Sequence, residues 1–342
     1  MESGARRYAG FAVVIIIMAI LFAAVLFTGP VKIPATEVLE VISGRDKDSV
    51  AAAIVMQSRL PMAVTALLAG AALSVAGAMM QTLFRNPLAG PSILGVSSGA
   101  SLGVAVVMMG CGAGITSAGI TGSYIGQLAG AICGAMAVIL LISAFSSSVK
   151  NGIMLLIIGV MIGYLASSAI SLLNYLSTAE RLKNFTIWGL GSFSGVTRTS
   201  LPFYAIGVLL PSAAAMLCVK PLDALLLGER YARSMGYDIR RIRTVMLLVS
   251  GLLTAAVTAF CGPIGFIGLI VPHIVRVGFR TSSHSVLLPA SFLTGGAVAL
   301  VCTLLSCTIS DTQIPVNVIT PLLGVPVIIF LILNRRRLPY FN

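Results

Sequence analysis

Apolar runs long enough to cross a bilayer recur from one end of this chain to the other, and no other feature limits its fold as severely. A hydrocarbon core of about 30 Å needs roughly 20 apolar residues in a helix, and a helix bonds all its backbone groups internally. Reading between charged and Pro/Gly-rich breaks gives ten candidate spans: Tyr8–Thr28, Pro61–Leu83, Ile93–Met109, Tyr124–Phe145, Ile153–Leu176, Leu201–Leu217, Ile242–Cys261, Ile264–Val277, Val286–Leu305 and Ile319–Leu333. The eighth is short and reads as a crossing or as a re-entrant segment. Of 342 residues, 58% are hydrophobic and 9% are Asp, Glu, Lys or Arg, where a soluble protein carries about 25% charged residues. The mean hydropathy of +1.04 agrees. A soluble enzyme, a disordered chain and a disulfide-stapled secreted domain are excluded.

Charge then sets orientation. A net charge of +12 suggests nucleic acid in a soluble protein, but here the question is on which side of a membrane it lies. With the N-terminus inside and ten crossings, the inside holds 15 basic and 4 acidic residues, a balance of +11. The outside holds 7 basic and 6 acidic residues, a balance of +1. If the eighth run failed to cross, Arg335, Arg336 and Arg337 would lie outside, against the positive-inside rule. Ten crossings with both termini cytoplasmic is the expected topology. The first run is long for a signal-peptide core and reads as a retained helix.

Several chemistries have no residues to run them. None of the five lysines follows a glycine, so there is no GxxxxGK[ST] phosphate-binding loop. The six cysteines show no metal spacing, and a free thiol within a span behaves as a small hydrophobe. His273, in a Pro-containing break, reads as a hydrogen-bonding residue or as a ligand or proton relay; the only other histidine is His284. Carboxylates are almost absent from the spans, Asp311 in the last external loop being the nearest. Ion-coupled carriers usually keep an intramembrane carboxylate, so the energy source is expected on another chain.

Four features carry function. Gly70, Gly77, Gly90, Gly95, Gly99 and Gly103 punctuate spans two and three and allow close helix approach. In span five, Tyr164, Ser167, Ser168, Ser171, Asn174, Tyr175 and Thr178 form a polar stripe at helical spacing, with Leu165, Ala169, Leu172 and Leu176 on the other side. That stripe is either a packed interface or a face lining an aqueous path for a large polar solute. Glu180–Gly195 reads as an interfacial external helix with Trp188 at headgroup depth. Lys220–Arg243 is the longest charged cytoplasmic stretch. Asp223 is placed to cap a first helix there, Gly228 and Gly236 to stop short helices, and Leu225, Leu226 and Tyr231 to supply apolar contacts. It reads as a docking platform for a cytoplasmic partner, against the plainer reading of a topology signal.

Two long motifs then add a family resemblance. Arg59-Leu60-Pro61, Ala69-Gly70-Ala71-Ala72-Leu73, Gly77, Gln81 and the run from Arg85 to Gly95 (RNPLAGPSILG) resemble the FecCD permeases, as does the run from Gly262 to Arg276 (GPIGFIGLIVPHIVR). These are membrane subunits of type II ABC importers for iron–siderophore, haem and cobalamin. The resemblance, covering about Val31 to Leu333, implies an all-α integral membrane protein of ten transmembrane helices in one permease domain over 1–342. Spans two to five and seven to ten would be inverted repeats, residues 29–60 an external loop and 220–243 the cytoplasmic ATPase-coupling loop. It implies a homodimer with the path at its two-fold axis, two cytoplasmic ATPase subunits and an external substrate-binding protein. No cofactor is expected on this chain, ATP and Mg being held by the partner subunits.

By the same resemblance, Leu226, Gly228, Glu229, Ala232, Arg233 and Gly236 are the candidate coupling residues. Gln81, Asn86, Leu88, Tyr164, Ser167, Ser168, Ser171 and Asn174 are the candidate path residues, with Asn86 and Leu88 narrowing the cytoplasmic mouth. Where the family often reads Arg-Leu-Pro-Arg, this chain has Met62 last, which leaves Arg59, with Arg181, Lys183 and Arg198, as candidates for binding-protein docking. The expected chemistry is alternating access driven by the ATPase, with no covalent step on this chain. Trp188, Gly191, Ser192 and Phe193 place iron–siderophore first as substrate, haem next and cobalamin third. A gradient-driven carrier or channel is the alternative, and a scaffold without a path a third class.

Overall fold

The computed structural model describes residues 2–110, 119–149, 152–309 and 313–333; the expectations placed on Cys111, Lys150, Asp311 and Arg335–Arg337 fall outside them. Among the described residues no strand occurs. The helices in chain order are α1 (Glu2–Phe27), α2 (Ala35–Ile42), α3 (Val50–Ile54), α4 (Leu60–Phe84), α5 (Val96–Ala105), α6 (Gly119–Ser148), α7 (Gly152–Leu176) and α8 (Ala179–Gly189). They continue as α9 (Leu201–Leu217), α10 (Val219–Leu227), α11 (Glu229–Ser234), α12 (Ile239–Cys261), α13 (Ile267–Phe279), α14 (His284–Thr308) and α15 (Val316–Leu333).

Among the described residues, six helices are long and apolar enough to cross a membrane: α1, the unit Val50–Phe84, α6, α7, α12 and α14. The α9–α10 pair, bent by 51°, makes a seventh if it counts as one span. The third, eighth and tenth apolar runs fold as the shorter helices Val96–Gly110, Ile267–Phe279 and Val316–Phe330.

The helix α4 is the hub. It is apolar all round and buried along nearly its whole length, as a helix enclosed by others should be. It packs against α14, α12, α13 and α9, while the outer helices α1 and α7 leave most of their apolar surface uncovered. Contact at the hub is backbone to backbone. A Cβ on Gly70 would collide with the Gly295 carbonyl of α14, and a Cβ on Gly77 with the Gly268 carbonyl of α13. A second seam joins α5 to α6, where Gly99 and Gly103 face Gly134 and Gly130, each pair in GxxxG spacing. Lipid offers no hydrophobic drive to bring helices together, so close packing of small residues supplies it.

Two local distortions position side chains. A π-turn, Val55–Arg59, joins α3 to α4, so the helix begins within the expected external loop. Ahead of α13, Phe266 has φ 68° and ψ −37°, and Ile267 N donates to Gly265 O at 2.9 Å. This tight three-residue turn is strained for a side-chain-bearing residue. Asn317 of α15 braces it, accepting from Gly265 N at 3.3 Å and donating to the carbonyls of Pro263 and Gly189.

Candidate functional site: a helical platform tied to the end of the hub helix

The stretch Lys220–Arg243 folds as short helices with glycine breaks. Gly228 ends α10 at φ 125°, and Gly236 follows α11 at φ 86°, conformations that glycine adopts without a Cβ penalty. Gly236 N donates to Arg233 O at 2.9 Å and Tyr237 N to Ala232 O at 3.1 Å, closing the end of α11. Asp238 then caps α12, accepting from Arg240 N at 2.9 Å and Arg241 N at 3.3 Å.

Burial sorts the side chains. Leu222, Ala224, Leu225 and Ala232 are buried and seat the platform, so Leu225 anchors it rather than offering a contact. Leu226, Leu227, Tyr231 and Met235 are exposed, as are Arg233 and Gly236. Two clefts of about 440 Å³ and 340 Å³ flank Tyr237 and Asp238, the larger also lined by Arg233, Arg240 and Arg243. Exposed apolar residues and arginine-lined clefts on one stretch form a surface suited to a partner. Arg243 is nearly enclosed, and its guanidinium bonds Glu229 Oε1 at 2.9 Å and Val149 O at 3.0 Å. The ion pair thus fastens α11 to α12 and to the end of α6.

Asp223 does not cap α10. It lies mid-helix and reaches across to α14, where its Oδ1 accepts from His284 N at 2.7 Å and faces His284 Nδ1 at 2.7 Å. Burial raises its pKa, but the bonds from His284 and Ser283 outweigh that and hold the carboxyl below the usual carboxylate range.

The end of α4 stands against the same platform. Arg85 turns the chain at φ 47°, and its Nη2 donates to Leu225 O at 3.2 Å. The Asn86 side chain accepts from Leu88 N at 2.9 Å, His273 Nε2 meets Pro87 O at 2.7 Å, and Leu88 is exposed. Of the two readings of His273, the hydrogen-bonding one describes this contact.

Two candidates face the interior of the chain. Gln81, a path candidate in the sequence, is buried within the chain, its Nε2 donating to Leu269 O at 3.0 Å and its Oε1 accepting from Arg276 Nη1 at 2.5 Å. Arg59, a docking candidate in the sequence, is buried. The π-turn aims it inward, 3% exposed, to donate to Leu26 O at 2.8 Å and Val31 O at 2.6 Å, satisfying carbonyls freed where α1 ends. Arg59→Ala is therefore expected to lower the melting temperature in detergent, since bonds from a charged group contribute about 1.5–3 kcal/mol each. Unchanged melting would count against this structural role.

The remaining candidates sit as follows. Tyr164, Ser167, Ser168 and Ser171 are exposed on α7 and Asn174 is half-buried, with Ser171 Oγ donating to Ser167 O at 3.0 Å. Leu165, Leu172 and Leu176 are equally exposed, so burial within one chain does not separate the polar face from the apolar one. Lys183 and Arg198 are exposed, while Arg181 is half-buried and donates to Met109 O at 3.2 Å. Trp188 does not stand free: it stacks on Phe185 at 6.0 Å and packs against the core. The Thr82–His284–Asp223 contacts, the Glu229–Arg243 pair and Asn317 went unread in the sequence. Thr82 and Arg243, polar residues inside apolar runs, were a signal for two of them.

Helices long and apolar enough to cross a membrane thus carry a platform of short helices with glycine breaks. The chain matches the FecCD transport family over residues 15–334 and belongs to it. It is 37% identical over 287 residues to the vitamin B12 import system permease protein BtuC of Escherichia coli O9:H4 (strain HS), covering 83% of this chain and 84% of that one. The Klebsiella pneumoniae protein of the same name is 36% identical over 286 residues, covering 82% and 83%. A solved structure described as an inward-facing conformation of a transporter assigned to the metal-chelate type of ABC transporter superposes with a TM-score of 0.83 at 30% identity, over 96% of this chain and 99% of that one. The chain is thus a multi-pass ABC importer permease. The gradient-driven and scaffold readings are set aside.

Proposed function

We propose that this permease imports a bulky metal chelate, with cobalamin the first candidate and ferric siderophore and haem behind it. The names of the curated relatives support cobalamin and reverse the order expected from Trp188, Gly191, Ser192 and Phe193. The carrying observation is mechanical: an exposed apolar and basic platform is tied through Arg85 and Asp223 to the end of the buried hub helix. A partner that moves the platform moves the segment Asn86–Leu88 with it.

In this reading the ten apolar runs all cross, both termini are cytoplasmic, and two copies meet with the hydroxyl face of Tyr164, Ser167, Ser168, Ser171 and Asn174 toward the path. Two ATPase subunits engage Leu226, Gly228, Glu229, Arg233 and Gly236 on the platform that the buried Ala232 seats, and the spans lie in the bacterial cytoplasmic membrane. An external binding protein docks on Arg181, Lys183 and Arg198. Asn86 and Leu88 close the inner mouth until nucleotide-driven motion parts them, and uncharged hydroxyls let a polar chelate pass without tight binding. The test is uptake of radiolabelled cyanocobalamin, ferric siderophore and haem in a deletion strain, with and without the chain. ATP-dependent restoration for cyanocobalamin is the expected result; restoration for another chelate alone would reassign the substrate.

A further inference from the structure

We propose that Thr82, His284 and Asp223 form a breakable tie through which the platform sets the position of the Asn86–Leu88 gate. The inference rests on the importer reading above and assigns residues to its transmission step.

The three residues come from three elements. Asp223 belongs to the platform helix α10, His284 opens α14, and Thr82 lies in the last turn of α4, just before Arg85 and Asn86. Asp223 Oδ1 lies 2.7 Å from both His284 N and His284 Nδ1, and His284 Nε2 lies 2.8 Å from Thr82 Oγ1. His284 is fully buried and Thr82 nearly so, while the Asp223 side chain is 37% exposed. The chain of bonds therefore runs from a group at the aqueous platform surface to the buried helix that carries the gate.

Its chemistry suits a contact that has to break and re-form. Nδ1 faces a carboxylate and so carries a proton, which leaves Nε2 able to accept from the Thr82 hydroxyl. That hydroxyl has a second acceptor at hand, the Ala78 carbonyl one turn back at 3.0 Å. When α10 and α14 shift, Thr82 can turn from His284 to Ala78 without stranding a buried donor, whose cost otherwise locks such a contact. The hydroxyl thus has two satisfied states, which a two-position element requires.

A second tie runs beside it, from Arg85 Nη2 to Leu225 O at 3.2 Å. On the opposite side, His273 of α13 meets Pro87 O. The gate segment is therefore held between the platform and α13, and the Thr82 tie decides how closely it follows the platform.

The test reads the gate without needing a transported substrate. Leu88→Cys is introduced into a chain whose native cysteines are replaced by alanine, and the permease is assembled with its ATPase subunits. Maleimide labelling at position 88 is then followed without nucleotide and with ATP plus vanadate. With Thr82 intact, the labelling rate is expected to change about fivefold between the two states, the scale of one buried hydrogen bond. Thr82→Val should reduce that change to less than about twofold, and Thr82→Ser should restore it. Should the valine variant assemble poorly, Asp223→Ala, which removes the acceptor that His284 N and Nδ1 face, serves in its place, and the two changes together should cost no more than either alone. A wild-type nucleotide response in Thr82→Val or in Asp223→Ala overturns the tie. Absence of any nucleotide response with Thr82 and Asp223 intact would instead overturn the importer reading on which it rests.

Discussion

Gly77→Leu is expected to abolish the folded permease. A Cβ at this position meets the Gly268 carbonyl of α13, which is backbone, so no side chain can rotate away. Ordinary core overpacking costs about 1–3 kcal/mol because neighbouring side chains adjust. Here α4 and α13 must separate, while α4 is also held against α14 by the contact of Gly70 with Gly295. Detergent-extracted yield and size-exclusion profile measure the outcome, with Gly278→Leu as control, since a Cβ on Gly278 meets nothing within 4 Å. A monodisperse Gly77→Leu protein at wild-type yield would refute the close seam.

The second large effect is expected at the platform. Glu229→Arg places a second guanidinium against Arg243, which is nearly enclosed and holds Val149 O. A fully buried pair that loses one partner costs about 3–5 kcal/mol, and the half-exposed Glu229 brings that down toward 1–2 kcal/mol through solvent screening. That still corresponds to roughly a tenfold loss of the correctly set platform, read as chelate uptake and as co-purification of the ATPase. Exchanging the pair by adding Arg243→Glu should recover part of both. Gly236→Arg acts differently: there is room for the side chain, but the residue is held at φ 86°, which costs an L-residue about 1–2 kcal/mol. Wild-type import by both variants would remove the platform from the coupling step.

Helix positions were largely legible because the bilayer rewards apolar length, a property of sequence alone. Ile239–Cys261 and His284–Thr308 follow their apolar runs within a few residues. Arg59 shows where such reading fails. A charge between apolar runs reads as a loop residue, but the helix already starts at Val50, and a π-turn aims Arg59 at carbonyls more than 25 residues away. Gln81 is a second case, since its partner Arg276 is distant in sequence and near only after folding. The glycine stops of the platform were readable because positive φ is a local demand. That Asp223 serves His284 rather than its own helix was not, because two helices must dock before that choice exists.

The glycine seams also constrain how such a chain can diverge. In a core of leucine and valine, a gain of volume on one side can be offset by a loss on the other. Where Gly70 faces Gly295, Gly77 faces Gly268 and Gly103 faces Gly130, both sides already stand at the smallest residue there is. Every substitution adds atoms, and no second substitution across the seam can take them away. These positions therefore lack suppressors in their own interface, and a selection for rescue of Gly77→Ala should return changes elsewhere in the bundle or true revertants.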